Sequence, residues 1–382
     1  MQPTLILAGA SVRAAAVSAL RAGYGVWGAD LFTDQDFQTL GITVRRIDEY
    51  PQQIPQLLAY SAPPGPFLFT GGLENFPDVL DQISQQHPLW CMNADTVRRV
   101  RNPLLLQQVL GQGGFPTLDV TMEPPRSKNS DSSWVRKPLA SAGGQRIRMW
   151  ESSDTDPGGC YWQEYRLGDS YSALYLGGGQ DSNLIGLTHQ LVGTPWLHAK
   201  PFAYAGNVGP LPLAQEEQDF LHRVGNQLSM EFGLRGLFGI DFIREDDQFY
   251  VAEVNPRYTA SVELYELAYQ LALLPWHASK FTGASSVNAC WPPPFTAPCL
   301  GKAILYAPRD LVVTAHHYCS GLLQVEKELW SVPATADLPR PSSIVRAGQP
   351  VLSLMVAGEN AAICQTQLKL AANLLDMQLF PS

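Results

Sequence analysis

Leu237-Phe238-Gly239-Ile240-Asp241 runs on through Phe242-Ile243-Arg244 into a charged turn, and Phe249-Tyr250-Val251-Ala252 then leads to Glu253-Val254-Asn255-Pro256-Arg257. The apolar runs predict two strands, Phe238–Arg244 and Phe249–Asn255, paired across that turn. Such a hairpin brings Asp241 beside Glu253 and Asn255, and the spacing of Glu253 and Asn255 puts their side chains on one face. Acids on neighbouring strands ordinarily face solvent. These stand within apolar stretches, where an unpaired charge is costly. Two carboxylates and an amide oxygen make a hard, oxygen-rich site suited to Mg²⁺ and open to phosphate oxygens. Arg257 reaches the same face as a positive fork for phosphate or carboxylate.

Two further stretches precede the hairpin. Trp134-Val135-Arg136-Lys137-Pro138 reads as a strand, and Leu139-Ala140-Ser141-Ala142-Gly143-Gly144 as a small, glycine-rich loop. One ammonium and several backbone N–H groups there can surround phosphates, although such a loop is also an ordinary hairpin turn. No GxxxxGK[ST] occurs. Tyr161-Trp162-Gln163-Glu164-Tyr165-Arg166-Leu167-Gly168-Asp169 reads as a strand leaving into an extended hinge, able to read a base edge or to be a plain strand and turn.

Toward the N-terminus, strands at Thr4–Ala8, Gly25–Asp30, Val44–Ile47 and Phe67–Thr70 alternate with helical stretches at Val12–Ala22, Ile54–Tyr60 and Pro77–Gln86. This alternation predicts a parallel, doubly wound α/β sheet. In that architecture ligands gather at strand ends, here Gly9–Arg13, Asp30 and Gly71–Glu74. Ala94–Gly111 reads as helix interrupted at Asn102-Pro103, Met122–Ser133 as a surface loop, and Trp134–Val192 as a small antiparallel α+β lobe. A helix at Gln215–Phe232 precedes the hairpin. Pro292–Pro294 marks a boundary, beyond which Ala303–Tyr306 and Val351–Val356 read as strands and Ala361–Leu375 as a helix.

Composition narrows the class. At 382 residues with 45% hydrophobic and 16% charged, the chain fills several cores. A net charge of −9 argues against a nucleic-acid partner. The six cysteines form no CxxC pair or disulfide framework. No signal peptide and no apolar run long enough to span a membrane is found, so a cytoplasmic protein is expected. The turn at Gly9 lacks GxGxxG, against a dinucleotide oxidoreductase. His316-His317, read on a strand, would point to opposite faces and so bind no zinc.

Taken in order, Lys137 with its glycine loop, the Gln163-Glu164 hinge, Asp241, and Glu253-x-Asn255-Pro-Arg257 resemble the ATP-grasp superfamily, whose members include biotin carboxylase and D-alanine–D-alanine ligase. The resemblance spans roughly residues 95–300. Gly9-Ala10-Ser11-Val12-Arg13, Asp30–Asp36 and Gly348-Gln349-Pro350-Val351-Leu352 are similar to a group of predicted ATP-dependent carboligases related to biotin carboxylase, some associated with tetrahydromethanopterin biosynthesis. The implied organisation is a Rossmann-like domain over 1–95, an ATP-grasp domain over 96–300 with a mixed lid lobe at about 115–200, and a C-terminal segment over 301–382 packed on the core.

The resemblance also implies roles. Lys137 would bind the α- and β-phosphates under a flap of Ser141, Ala142, Gly143 and Gly144. Gln163, Glu164, Tyr165 and Arg166 would hold adenine, Asp169 or Ser170 the ribose, and Lys200 the γ-phosphate. Asp241, Glu253 and Asn255 would hold Mg²⁺, as two ions for which Mn²⁺ can substitute. Arg257 would stabilise the phosphoryl group in transfer. Arg101 stands where many members carry a nucleotide-binding lysine, a departure in fork geometry. The implied reaction is ATP-dependent C–N ligation of small-molecule carboxylate and amine through an acylphosphate, with the substrates near Ser11, Arg13 and Glu74. Those three residues also read as helix caps or surface ion pairs. A small-molecule kinase on the same scaffold and a catalytically silent nucleotide binder are the rival readings. A homodimer is the default assembly.

Overall fold

The computed structural model describes residues 3–125, 133–151, 158–283 and 297–381. Residues 126–132 of the expected surface loop and the prolines at 292–294 lie outside the described residues. The first 90 or so residues form a parallel sheet in the order β3-β2-β1-β4, with β1 at Thr4–Ala8, β2 at Gly25–Asp30, β3 at Thr43–Arg46 and β4 at Phe67–Phe69. Leu5, Ile6, Leu7 and Ala8 are buried because helices cover both faces of β1, so a continuous apolar run, not an alternation, marks the strand. The loops after β1 and β4 leave adjacent strands of this sheet and face the rest of the molecule.

The interruption at Asn102-Pro103 becomes a break between two helices, Ala94–Val100 and Pro103–Gln112. Pro103 cannot supply an N–H to a continuing helix. Asn102 instead caps the second helix, its side-chain oxygen accepting from the Leu104 and Leu105 amides at 3.1 and 3.2 Å.

The lobe expected over 115–200 divides. A four-stranded antiparallel lid sheet in the order β5-β8-β6-β7 comprises β5 Val120–Thr121, β6 Trp134–Pro138, β7 Arg148–Met149 and β8 Cys160–Glu164. The next two strands, β9 Asp169–Gly178 and β10 Ser182–Val192, belong to the core instead. Their inward residues, including Leu174, Leu176, Leu184 and Leu187, are buried in the same cluster as the N-terminal sheet.

The core sheet has eight strands in the order β13-β12-β9-β10-β11-β14-β18-β16. It is completed by β11 Tyr204–Gly209, β12 Arg235–Glu245, β13 Gln248–Asn255, β14 Cys299–Tyr306, β16 Thr335–Ala336 and β18 Pro350–Gly358. A small pair, β15 Leu311–Val312 and β17 Ile344–Val345, lies beside it. Helix Gln215–Phe232 covers one face and ends at Gly233, whose φ of 69° suits glycine. The C-terminal residues therefore continue the same sheet. His316 and His317 lie on a short helix, Ala315–Cys319, not on a strand. Of the five described cysteines four are buried and Cys319 is exposed. Among the described residues no helix is long and apolar enough to cross a membrane.

One helix, Val262–Tyr269, holds the parts together. Glu263 and Glu266, three apart on one face, are both buried there. Glu263 accepts both arms of the Arg13 guanidinium, at 2.5 and 2.9 Å, and the Lys302 ammonium at 2.7 Å. Asp337 adds a contact to Arg13 Nε at 2.8 Å. Glu266 accepts from Ser18 at 2.6 Å and Arg21 at 3.1 Å. Burial alone would raise the Glu263 carboxyl, but Arg13 and Lys302 hold it far below its ordinary value.

His277 makes a second tie. Its Nδ1 accepts from the Leu237 amide at 2.8 Å, and its Nε2 lies 2.7 Å from the Trp90 carbonyl. That pairing fixes a neutral ring with the proton on Nε2. Burial pushes its pKa down to about 4. A folded-state value below the unfolded one contributes stability above pH 6.5 that is lost as pH falls toward 4. By about 1.4 kcal/mol per unit, the loss is on the order of 3 kcal/mol. Denaturant melts between pH 7 and 4 should show this loss in the wild type and a smaller one in His277→Gln; equal slopes would refute it.

Candidate functional site

The hairpin of β12 and β13 forms as its sequence predicts. Asp241 pairs directly with Glu253 and Gly239 with Asn255, and the register shifts between Asp241 and Phe242. The direct pairing and the two-residue spacing before this shift put Asp241, Glu253 and Asn255 on one face, at one cleft. Asn255 donates to Asp241 Oδ2 at 2.9 Å and accepts from Arg257 Nη2 at 3.1 Å. Turning its amide would aim the oxygen at the carboxylates.

The two carboxylates are held unequally. Burial and the charge of Glu253 push the Asp241 carboxyl up to about 6, against hydrogen bonds from Ser172 and Gln190. Burial also works to raise Glu253, but Lys137, Arg101 and Arg257 outweigh it and hold Glu253 below its ordinary value. A pair of acids crowded together and ringed by cations fits a bound divalent ion, which would relieve their repulsion. Two carboxylates and a carboxamide oxygen are the hard donors that Mg²⁺ takes. Among the described residues no larger cluster of His, Cys, Asp and Glu could hold a metal.

Lys137, on β6 of the lid, is buried, and its Nζ donates to Gln163 Oε1 at 3.1 Å. Burial lowers its affinity for a proton, but Tyr161 and Glu253 carry its pKa above the ordinary value. Gln163 in turn donates to the Ala252 carbonyl at 3.2 Å, joining lid to core. The glycine loop follows. Gly143 accepts from the Tyr204 amide at 3.1 Å. Gly144, at φ 73°, lies so close to the Phe202 carbonyl that any Cβ would collide with it.

A cleft of about 490 Å³ runs between lid and core. Of the residues singled out in the sequence, Lys137, Gly143, Gly144, Gln163, Glu164, Tyr165, Arg166, Ser170, Asp241, Glu253, Asn255 and Arg257 line it. Ser141 and Ala142 stand beside the lining, Ser141 through a carbonyl that accepts from Arg101 at 3.0 Å. Arg101 also lies 3.7 Å from Glu253, so it brings its charge to the flap and the acids together. Glu164 and Arg166 pair with each other at 2.8 Å, and Arg166 also reaches Glu245 at 3.0 Å.

Other expected residues lie elsewhere. Asp169 and Lys200 are exposed and do not line the cleft; Lys200 rests against Gly348. Arg13 does not line this cleft; its guanidinium is engaged by Glu263 and Asp337 in the buried ion cluster. Ser11 is exposed, with its carbonyl accepting from Thr70 Oγ1 at 2.8 Å. Glu74 does reach the site, by pairing with Arg257 Nε at 2.7 Å.

The sequence reading missed a polar floor. Gln190 donates to Asp241 Oδ1 at 3.1 Å, and Ser172, Tyr204, Asn207, Thr259 and Ser261 line the same cleft. Asn207 is buried and donates to Thr188 Oγ1 at 2.7 Å. Thr188, Gln190 and Asn207 are polar residues in the middle of central strands, a signal that was present but was not read as a site.

The comparisons with known proteins agree with this geometry. Residues 101–261 match the model of the ATP-grasp domain family. They form an ATP-grasp domain. No curated protein matches the chain in sequence. Among solved structures, the biotin carboxylase domain of 2-oxoglutarate carboxylase from Hydrogenobacter thermophilus, crystallised as a dimer with MgADP, ADP and bicarbonate, is similar with a TM-score of 0.69 at 11% identity, over 96% of this chain and 89% of that one. The L-amino acid ligase of Bacillus licheniformis gives 0.67 at 13% identity, over 97% of each chain. The N5-carboxyaminoimidazole ribonucleotide synthetase of Thermotoga maritima gives 0.65 at 10% identity, over 98% of each. At these identities the likeness establishes the fold. It runs nearly end to end, so the parallel sheet, the ATP-grasp domain and the C-terminal strands recur in the same arrangement.

The crowded acids yield an expected outcome. Asp241→Asn removes a repelled charge, so the ligand-free protein should melt at the same or a higher temperature. The added stability conferred by Mg²⁺ with an ATP analogue, about 2.7 kcal/mol at a hundredfold excess over Kd, should be largely lost in the same variant. Thermal melts with and without Mg²⁺ read both quantities. A variant retaining the full Mg²⁺-dependent shift would remove Asp241 from the metal set.

Proposed function

We propose that the chain is an ATP- and Mg²⁺-dependent ligase, acting in the cytoplasm, that joins a small-molecule carboxylate to an amine through an acylphosphate. The observation that carries this reading is the convergence of Asp241, Glu253 and Asn255 with Lys137 and Arg257 on one cleft. Three cations (Lys137, Arg101 and Arg257) surround the acids, an arrangement suited to a polyphosphate whose charge shifts during transfer.

In this reading Lys137 holds the phosphates of ATP beneath the Ser141–Gly144 flap, with adenine at the Gln163–Arg166 hinge and ribose near Ser170. Asp241, Glu253 and Asn255 would hold Mg²⁺, as two ions, which neutralises phosphate charge when bound. A carboxylate oxygen of the first substrate attacks the γ-phosphorus and the bond to ADP breaks. Arg257 faces the phosphoryl group in transfer, and Glu74 fixes its guanidinium. The amine then attacks the acyl carbon, phosphate leaves, and the amine gives up a proton. The lid excludes water from the acylphosphate in the interval. A part in making a tetrahydromethanopterin-like cofactor belongs to the same proposal and rests on the sequence resemblance.

The test is Mg²⁺-dependent ADP release against pooled carboxylates and amines. Turnover should require one of each and vanish in Asp241→Ala/Glu253→Ala. Arg257→Ala should lower kcat by roughly 10²–10³-fold, as for loss of one group that stabilises developing charge. ADP release with a hydroxyl compound and no amine would establish a kinase instead. Nucleotide binding without turnover by any pool would favour a silent binder.

A further inference from the structure

The polar floor of the cleft holds a chain of hydrogen bonds in which each proton has one place to go. It begins at the Ser172 carbonyl, which can only accept. Thr188 Oγ1 donates to it at 3.1 Å, and this uses the one hydroxyl proton of Thr188. Turned instead toward Tyr265, its other neighbour, the same proton would still be spent. Thr188 Oγ1 is therefore an acceptor toward Asn207, whose Nδ2 donates to it at 2.7 Å. That fixes the Asn207 amide, so its Oδ1 faces Tyr204 and accepts the Tyr204 hydroxyl proton. Thr188 and Asn207 are both buried, away from water that could reassign these roles. Tyr204 lines the cleft. With its proton turned toward Asn207, the free side of its Oη offers only lone pairs.

That oxygen stands among the groups of the site. Asn207 lies opposite Gln190 across the β10–β11 pair, and Gln190 donates to Asp241. The Tyr204 amide donates to Gly143 of the flap, and the Tyr204 carbonyl accepts from Tyr306 at 2.6 Å, so the backbone is held on both sides. Loss of water, and then the charge of Asp241, push the hydroxyl far above its ordinary pKa, so it stays a phenol. The amide oxygen of Asn207 is no base, so Tyr204 cannot hand its proton on and take another. It can hold a hydrogen but cannot remove one.

We infer that Tyr204 Oη holds the attacking nucleophile by an N–H that stays on nitrogen, and that the second substrate is accordingly a primary amine. This assignment deepens the ligase proposed above and rests on that reading. A primary amine brings two hydrogens. Its lone pair forms the C–N bond as the acyl C–O bond to phosphate breaks. One proton passes to the departing phosphate, and the other remains as the amide N–H, donating to Tyr204 throughout. A secondary amine or an alcohol has only the hydrogen that must leave, so it forfeits this bond. A phosphate or carboxylate oxygen needs a donor and finds none at Oη.

Carboxylate-dependent ADP release with hydroxylamine and with N-methylhydroxylamine, against the same carboxylate pools, tests the assignment. Both are largely uncharged at neutral pH, and only the first keeps an N–H after acylation at nitrogen. The ratio of their kcat/KM values does not depend on how much of a variant is folded. Wild type should favour hydroxylamine, and Tyr204→Phe should lower the ratio about three- to tenfold, the worth of one neutral hydrogen bond. Thr188 does not line the cleft. Thr188→Val, which frees the Asn207 amide, should nonetheless lower the ratio, and Thr188→Ser should restore it. A wild type indifferent to the methyl group, or a Tyr204→Phe or Thr188→Val ratio equal to that of wild type, would overturn the assignment. ADP release that still required carboxylate and amine would leave the ligase standing. No ADP release with any carboxylate and either amine would overturn the ligase reading, and the assignment with it.

Discussion

The two-armed pairing of Arg13 with Glu263 constrains where everything else can stand. Arg13 opens the first helix of the parallel sheet domain, Glu263 lies on the helix that follows the Asn255-Pro256-Arg257 corner, and Lys302 and Asp337 come from the C-terminal strands and their connections. All are buried or nearly so. Removing one partner would strand the remaining charge away from water, a cost of about 3–5 kcal/mol. The cluster therefore tolerates little sliding among three parts of the chain. Glu266, one turn further on, repeats the device with Arg21 and Ser18. With these contacts fixed, the loop after β4 can present Glu74 to Arg257 from across the domain boundary.

That delivery matters because the site is assembled from separate pieces. The acids come from a hairpin of the core sheet, the lysine from the lid, Arg101 from the helical connection, and Glu74 from the parallel sheet. The opposing charges are three and three among these groups. In the ligand-free state the cations hold Glu253 charged, while Asp241 stays crowded against it, so the cleft keeps an unrelieved repulsion between its acids. A polyphosphate and divalent ions would enter as a further balanced set.

Residues set by local periodicity were legible in the sequence. Asp241, Glu253 and Asn255 lie on two consecutive strands with a short turn, where pairing follows from the pattern itself, and Arg257 stands two residues beyond the second. Lys137 and Gln163 were legible from the glycine-rich loop and the extended hinge that follow their strands. The ends of the first two strands of the parallel sheet and of helix Gln215–Phe232 also match, because glycine and carboxylate punctuation marks them. The pairing of Arg13 was not legible because its partner is 250 positions away. From sequence, an arginine at a strand–helix turn looks like a ligand contact. Glu263 and Glu266 passed unread within an apolar helix, although two buried acids at helical spacing are themselves a signal of distant cations. The extent of the lid failed for a different reason. The strands β9 and β10 resemble lid strands locally, and only their pairing with β12 and β11 assigns them to the core.

The lid's attachments have a kinetic consequence. Among the described residues, the bonds that tie its sheet and flap to the rest of the molecule include the Gln163 amide on Ala252, the Gly143 carbonyl under Tyr204, and the Ser141 carbonyl under Arg101. At about 1 kcal/mol net apiece, parting all three costs roughly 3 kcal/mol. Fewer than about one molecule in a hundred would then stand open at rest. Each of the three bonds involves the flap or the Lys137–Gln163 pair, the same groups a nucleotide would engage. Under the proposed function, an incoming nucleotide would compete with the latch for its own contacts. Loading and unloading the cleft would be paced by how often the latch lets go.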